Sequence, residues 1–276
     1  MAAKGTVDLS AHEQRSDDVR LEGARCLVIG GARRLGAVVA LDLAAHGADL
    51  AISTRSAAAD ATATCAAVRA LGRRCVIVSG DVVAPAAAAA LVAGAADAIG
   101  GLDVLVYAAS GPFRPAAPQD VDSADWQASF DVIARGFFVA ACAARERFVD
   151  GTTARRADEP TRGVIVALTD VLGVVPSAAF AGHGAAKAAQ IMLVASLAKA
   201  WAPDGVRVCG VAPGPIDLPD DPRHEATLRA AARTAIGHPV APAEIARAIR
   251  FVIACDALTG VNLPVEGGTL LGPLAP

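Results

Sequence analysis

No CxxC pair occurs in this sequence, and no histidine stands at metal-ligand spacing from a cysteine, which argues against a zinc site. The six cysteines, Cys26, Cys65, Cys75, Cys142, Cys209 and Cys255, are scattered along the chain, as expected of small core residues in a reducing, cytoplasmic compartment. Aromatic residues make up only 4%, too few for a base-stacking platform. The formal net charge of −3 supplies no basic field for nucleic acid or anionic lipid, so the expected partner is a small molecule. No run of about 18 apolar residues marks a membrane span. Residues 1–22 are polar and lack the apolar segment of a signal peptide, so they are expected to be a flexible arm ahead of one domain over residues 23–276. No fixed-period repeat is visible.

What the chain does have is apolar substance: 54% of its residues are hydrophobic and 19% charged, enough to bury a large core. From Ala24 onward, short β-branched runs alternate with longer alanine-rich helical runs, the pattern of βαβ units and a parallel sheet. Candidate strands are Arg25–Ile29, Asp49–Ser53, Cys75–Val78, Val104–Tyr107, Gly163–Leu168, Val206–Val211 and Val261–Pro264. The expected fold is a single-domain, Rossmann-like α/β architecture: a doubly wound parallel sheet of about seven strands flanked by helices. On such sheets ligands bind beyond the carboxyl ends of the strands, so function is sought in the loops that follow them. The polar stretch Asp150–Arg162 reads as a surface insertion before the fifth strand.

After the first strand comes Gly30-Gly31-Ala32-Arg33-Arg34-Leu35-Gly36, followed by an apolar helical run. A strand, a glycine-rich turn and a helix N-terminus present free backbone N–H groups and a positive dipole end to a pyrophosphate. Gly30 permits the tight turn and Gly36 lets the helix pack close. At the end of the second strand, where a carboxylate would meet an unphosphorylated ribose, stand Arg55 and Ser56. With Arg33 they suit a 2′-phosphate and hence NADP(H), unless they form an ordinary basic surface turn. Asp81, after the third strand, is placed either for the adenine edge or for a turn.

These residues resemble the short-chain dehydrogenase/reductase family, and within it the pteridine-reductase type, over about Arg25 to Gly268. The loop IGGARRLG is similar to the family's TGxxxGxG, with Arg34 at the middle glycine, as in pteridine-reductase-like members. The resemblance implies cofactor contacts from Gly30, Arg33, Arg34, Leu35, Gly36, Arg55, Ser56, Asp81, Val82, Ala109, Ser110, Lys187, Pro213, Gly214 and Ile216. It also implies a homodimer or homotetramer. The family's catalytic Ser, Tyr and Lys positions fall on Asp170, His183 and Lys187, so the Ser is replaced by Asp, as in pteridine reductases, and the Tyr by His. The family's NNAG is Tyr107-Ala108-Ala109-Ser110, its relay Asn is Ile133, and Leu218 stands where many members keep a Thr.

His183 and Lys187 are four residues apart, so on a helix they share one face. Lys187 sits in the apolar run AAKAAQIMLVASLA, where an unpaired charge is costly; it is read as a ribose-binding group, the alternative being a solvated helix edge. An imidazole titrates near neutrality unaided, which suits His183 to serve as general acid with Asp170; the plainer alternative is a satisfied histidine near a helix start. The substrate site is expected to include Arg34, Ser110, Phe113, Asp170 and His183, with Phe113 stacking on a planar ring and Phe180 lining the pocket or packing in the core. The leading expectation is an NADPH-dependent reductase of a small, planar or nitrogen-containing substrate bearing C=N, C=C or C=O. The alternatives are a redox-silent isomerase, cyclase or lyase in the same pocket, and a non-catalytic NADP-binding protein.

Overall fold

The computed structural model describes residues 21–150 and 161–272, so most of the expected arm and of the expected insertion lie outside the described residues. Seven strands, β1 (Arg25–Ile29), β2 (Asp49–Thr54), β3 (Cys75–Ser79), β4 (Val104–Tyr107), β5 (Gly163–Leu168), β6 (Val206–Pro213) and β7 (Asn262–Val265), make one sheet. Its order is β3-β2-β1-β4-β5-β6-β7, and every neighbouring pair is parallel. The helices are α1 (Arg34–Ala45), α2 (Ala58–Ala70), α3 (Pro85–Ile99), α4 (Ser123–Phe130), α5 (Gly136–Val149), α6 (Ala181–Trp201), α7 (His224–Ala231) and α8 (Pro242–Ala254).

The central strands β4 and β5 read as continuous apolar runs because helices cover both faces of the sheet there. Side chains alternate along β1: Cys26 and Val28 enter the layer under α1, α2 and α8, with Val39, Leu43, Cys65, Val68, Ile245 and Ile249. Leu27 and Ile29 enter the opposite layer, with Leu91 and Val92 of α3, Phe137 and Ala140 of α5, and Val194 and Leu197 of α6. Leu21, assigned to the arm by its polar surroundings, is instead buried in the first layer, and Glu22 beside it pairs with Arg73 at 2.9 Å. Apolar burial decides the matter for Leu21.

α4 and α5 are one helix interrupted by a π-turn at Asp131–Arg135, where the Gly136 N–H donates to the Asp131 carbonyl. The Tyr107 hydroxyl, buried at the end of β4, donates to the Val132 carbonyl at 2.5 Å. Glycine follows the π-turn because a Cβ at Gly136 would lie 2.6 Å from that hydroxyl oxygen. The combined helix Ser123–Val149 is long and apolar enough to cross a membrane, yet half of its most apolar stretch is buried within the fold. The order reversal falls between β1 and β4, and the loops beyond these strands open the crevice in which such sheets bind ligands.

Candidate functional site

The cradle beyond β1 is built around two glycines that no other residue can replace without displacing backbone. Gly30 has φ +80°, and a Cβ there would sit 3.1 Å from the Ala108 and Ala109 backbone beyond β4. Its N–H donates to Ser53 Oγ at 3.1 Å, tying the turn to the end of β2. A Cβ on Gly36 would fall 2.1 Å from the Gly30 carbonyl oxygen, so the first turn of α1 lies directly on the loop. Arg33 at the N-cap makes no capping bond and the first turn carries no acid, which leaves the helix N–H groups without a side-chain acceptor. Free amides beside a gap that a Cβ would fill suit the pyrophosphate of a dinucleotide.

The other expected cofactor residues stand around this cradle. Leu35 packs on the core layer and Val82 is buried, while Arg33, Arg55, Ser56 and Ser110 are exposed. Asp81 both caps its own turn, accepting from the Val83 N–H at 2.9 Å, and faces Arg55 at 3.8 Å. Beyond β6, a Cβ on Gly214 would lie 2.7 Å from the Glu266 Cα, and Ile216 bridges to Val240. Pro213 is buried at the end of β6.

The floor of the crevice joins the loop after β5 to the start of α6. Asp170 Oδ1 accepts from the Leu172 N–H at 2.8 Å, which fixes the carboxylate, and its Oδ2 lies 3.3 Å from His183 Nε2. His183 is 5% exposed, and its Nδ1 is buried with no partner. A ring nitrogen oriented by a carboxylate on one side and orphaned on the other is unfinished chemistry, because a buried polar atom is normally paired.

Lys187, one turn on, is 3% exposed and donates from Nζ to the Leu168 carbonyl at 2.6 Å and to Gln190 Oε1 at 3.2 Å. The solvated helix edge is thus excluded: the charge is held inside by two acceptors. Burial pushes its pKa from 10.5 down to about 8, partly opposed by Asp170. The unfolded chain holds this proton to higher pH than the fold does, so stability gained from this group rises with pH between about 8 and 10.5. Relative to Lys187→Met, the native protein is expected to gain roughly 3 kcal/mol across that window in denaturant titrations. A stability difference independent of pH would contradict a buried, charged lysine.

Phe113 packs beside His183. Its ring meets His183 edge-on at 4.7 Å, stacks on Phe180 at 4.2 Å, and carries the Arg223 guanidinium over it at 4.7 Å. Phe180 and the Arg223 guanidinium are therefore the groups that lie against the Phe113 ring in this arrangement. Arg34, at φ +55° the only non-glycine residue with positive φ among the described residues, reaches across to Asp221 in the strap between β6 and α7. Sequence reasoning missed Asp221, Arg223 and Gln190. Of these only Gln190 carried a signal, being three residues from Lys187 on the same helical face.

Among the described residues, no group of three His, Cys, Asp or Glu side chains could hold a metal ion. A dinucleotide cradle and a polar, orienting floor on one parallel sheet define a nucleotide-dependent enzyme fold. The family described as short chain dehydrogenase matches residues 24–226. Cis-4-hydroxycyclohexanecarboxylate dehydrogenase of Sinomonas cyclohexanicum is 37% identical, over 88% of this chain and 94% of that protein. 3beta-hydroxysteroid dehydrogenase 1 of Eggerthella lenta is 31% identical, over 92% and 96%. A short chain dehydrogenase from Burkholderia cenocepacia, solved in complex with NADP, superposes with a TM-score of 0.80 at 34% identity, over 91% of this chain and 99% of that one. The chain therefore belongs to the short-chain dehydrogenase family and is an oxidoreductase of that type.

Proposed function

We propose that this protein is an NADPH-dependent reductase of a small C=O, C=N or C=C substrate, of the pteridine-reductase-like kind, in which His183 supplies the proton. The observation that carries this reading is the unequal state of the two His183 nitrogens: Nε2 faces Asp170 and Nδ1 has no partner. With Nε2–H donated to the carboxylate, the imidazolium form carries its second proton on Nδ1, and that is the proton given to a substrate heteroatom, leaving the neutral ring behind. Asp170 holds the ring in that orientation and stabilises its charged form. Lys187 places a positive charge beneath the site that favours hydroxyl or oxyanion neighbours. NADPH, when bound, supplies the hydride.

The first turn of α1 with Gly30 and Gly36 would hold the pyrophosphate, and Arg55 with Ser56 the 2′-phosphate. Support for NADP(H) over NAD(H) comes from the absence of a carboxylate at the end of β2 and from the NADP bound in the Burkholderia structure. NADPH is expected to bind at least about tenfold tighter than NADH, with Arg55→Ala erasing most of the difference. Equal affinities for the two in the native protein would reject this assignment.

The reading is tested by following the absorbance of reduced nicotinamide and the product mass together. Oxidation of NADPH with a reduced product supports it. Product without oxidation establishes instead a redox-silent isomerase, cyclase or lyase, a reading favoured by one feature: fully buried Ile133 offers no polar side chain at the π-turn to relay a proton.

A further inference from the structure

The strap between β6 and α7 places a carboxylate where a ligand would be expected. Asp221, with its side chain 7% exposed, accepts from Arg223 Nη2 at 2.9 Å, Arg223 Nε at 3.0 Å and the Arg223 N–H at 2.9 Å, and it contacts Arg34 Nη2 from the cofactor loop. Two arginines from distant elements therefore converge on one acid. The Arg223 guanidinium and the His183 ring also lie at the same Phe113 ring, each 4.7 Å from its centroid. A small molecule reacting at His183 thus has an anion clamp at about the far end of its own length.

The clamp is overcharged for what it holds. Arg34 stands near both Arg223 and Arg33, and burial together with repulsion from those two holds its guanidinium below the usual value. One carboxylate carries half the charge needed by the two guanidiniums that converge on it, and a paired guanidinium fork matches a carboxylate in bidentate geometry. A second anion would relieve the repulsion, and displacing Asp221 would free the strap, Arg223 and with them Phe113 above the unpartnered His183 Nδ1.

We propose that Arg34 and Arg223 form a subsite for a carboxylate on the substrate, with Asp221 as the internal stand-in that occupies it when no substrate is present. The substrate is accordingly a small carboxylic acid whose reducible group reaches His183 while its carboxylate replaces Asp221. This rests on the reading of the crevice as a substrate pocket, but the clamp can be tested without turnover.

The probes are benzoate and its neutral counterpart benzamide, titrated by calorimetry into the full chain saturated with NADPH. Benzoate is expected to bind at least about tenfold tighter than benzamide. Arg223→Met should abolish that preference, whereas Asp221→Asn should tighten benzoate several-fold because the stand-in loses its charge. Opposite signs from two substitutions in one strap separate the clamp from a general loss of folding. Equal affinity for the two probes, no binding of either to the native protein and to Asp221→Asn, or an unchanged preference in Arg223→Met would overturn the proposal. Competition between benzoate and NADPH would overturn it too, by assigning the anion site to the cofactor phosphates. A protein that shows the preference yet oxidises no NADPH keeps the clamp and loses the reductase.

Discussion

Gly36→Ala is expected to weaken NADPH binding by about a hundredfold or more while leaving the sheet folded. The added Cβ would stand 2.1 Å from the Gly30 carbonyl oxygen and 2.9 Å from its carbonyl carbon, and both are backbone atoms that cannot rotate away. Relief requires the start of α1 to retreat by about an ångström, and a displacement of that size in a positioning element costs on the order of a hundredfold. The rest of α1 can absorb the shift, because Val39 and Leu43 anchor it to the core further along. Fluorescence titration with NADPH, beside circular dichroism of the same sample, reads both halves of the expectation. An alanine variant that binds within a few-fold of the native protein would mean that the pyrophosphate lies elsewhere.

The second large effect concerns chemistry rather than binding. His183→Phe is expected to slow the single-turnover oxidation of NADPH by about 10²- to 10⁴-fold, the usual contribution of a positioned acid, with little change in NADPH affinity. Phenylalanine preserves a flat ring against Phe113 but carries neither the nitrogen facing Asp170 nor the orphaned one. Asp170→Asn should lose less: the amide still occupies the place at 3.3 Å from Nε2 but no longer stabilises a charged imidazole. An undiminished rate in His183→Phe would remove the histidine from the mechanism and leave the proton to water.

All seven strands were legible in the sequence as short, mostly apolar runs, and most clearly in the central strands β4 and β5, which are buried throughout. β1, β4 and β5 span the residues expected of them. β6 runs two residues further, to Pro213, because pairing with Pro264 and Val265 of β7 continues past the β-branched run. β7 itself begins one residue later, at Asn262. Asp170, His183 and Lys187 were picked out by the resemblance to the family's catalytic positions, and the structure brings the first two into contact. The strap was not: Arg34 and Asp221 lie 187 residues apart, and a lone ion pair between a turn and an irregular segment leaves no periodic trace. Nor could sequence show that Arg223 would lie over the Phe113 ring, since that depends on where the strap carries it.

The π-turn at Asp131–Arg135 adds a residue to a helical turn, and each residue of an α-helix advances the chain by about 100° around the axis. It therefore works as a phase shifter between two halves of one rod. Beyond it, Phe137, Ala140, Ala144 and Phe148 point into the core layer; before it, Trp126 lies against Gly182 at the start of α6, next to His183. Excising a single residue there would turn one half about the axis of the other, forcing a choice between a sealed interior and the contact of Trp126 with α6. The widened turn lets the same helix serve both, and the carbonyl of Val132 is claimed by Tyr107 from the sheet below.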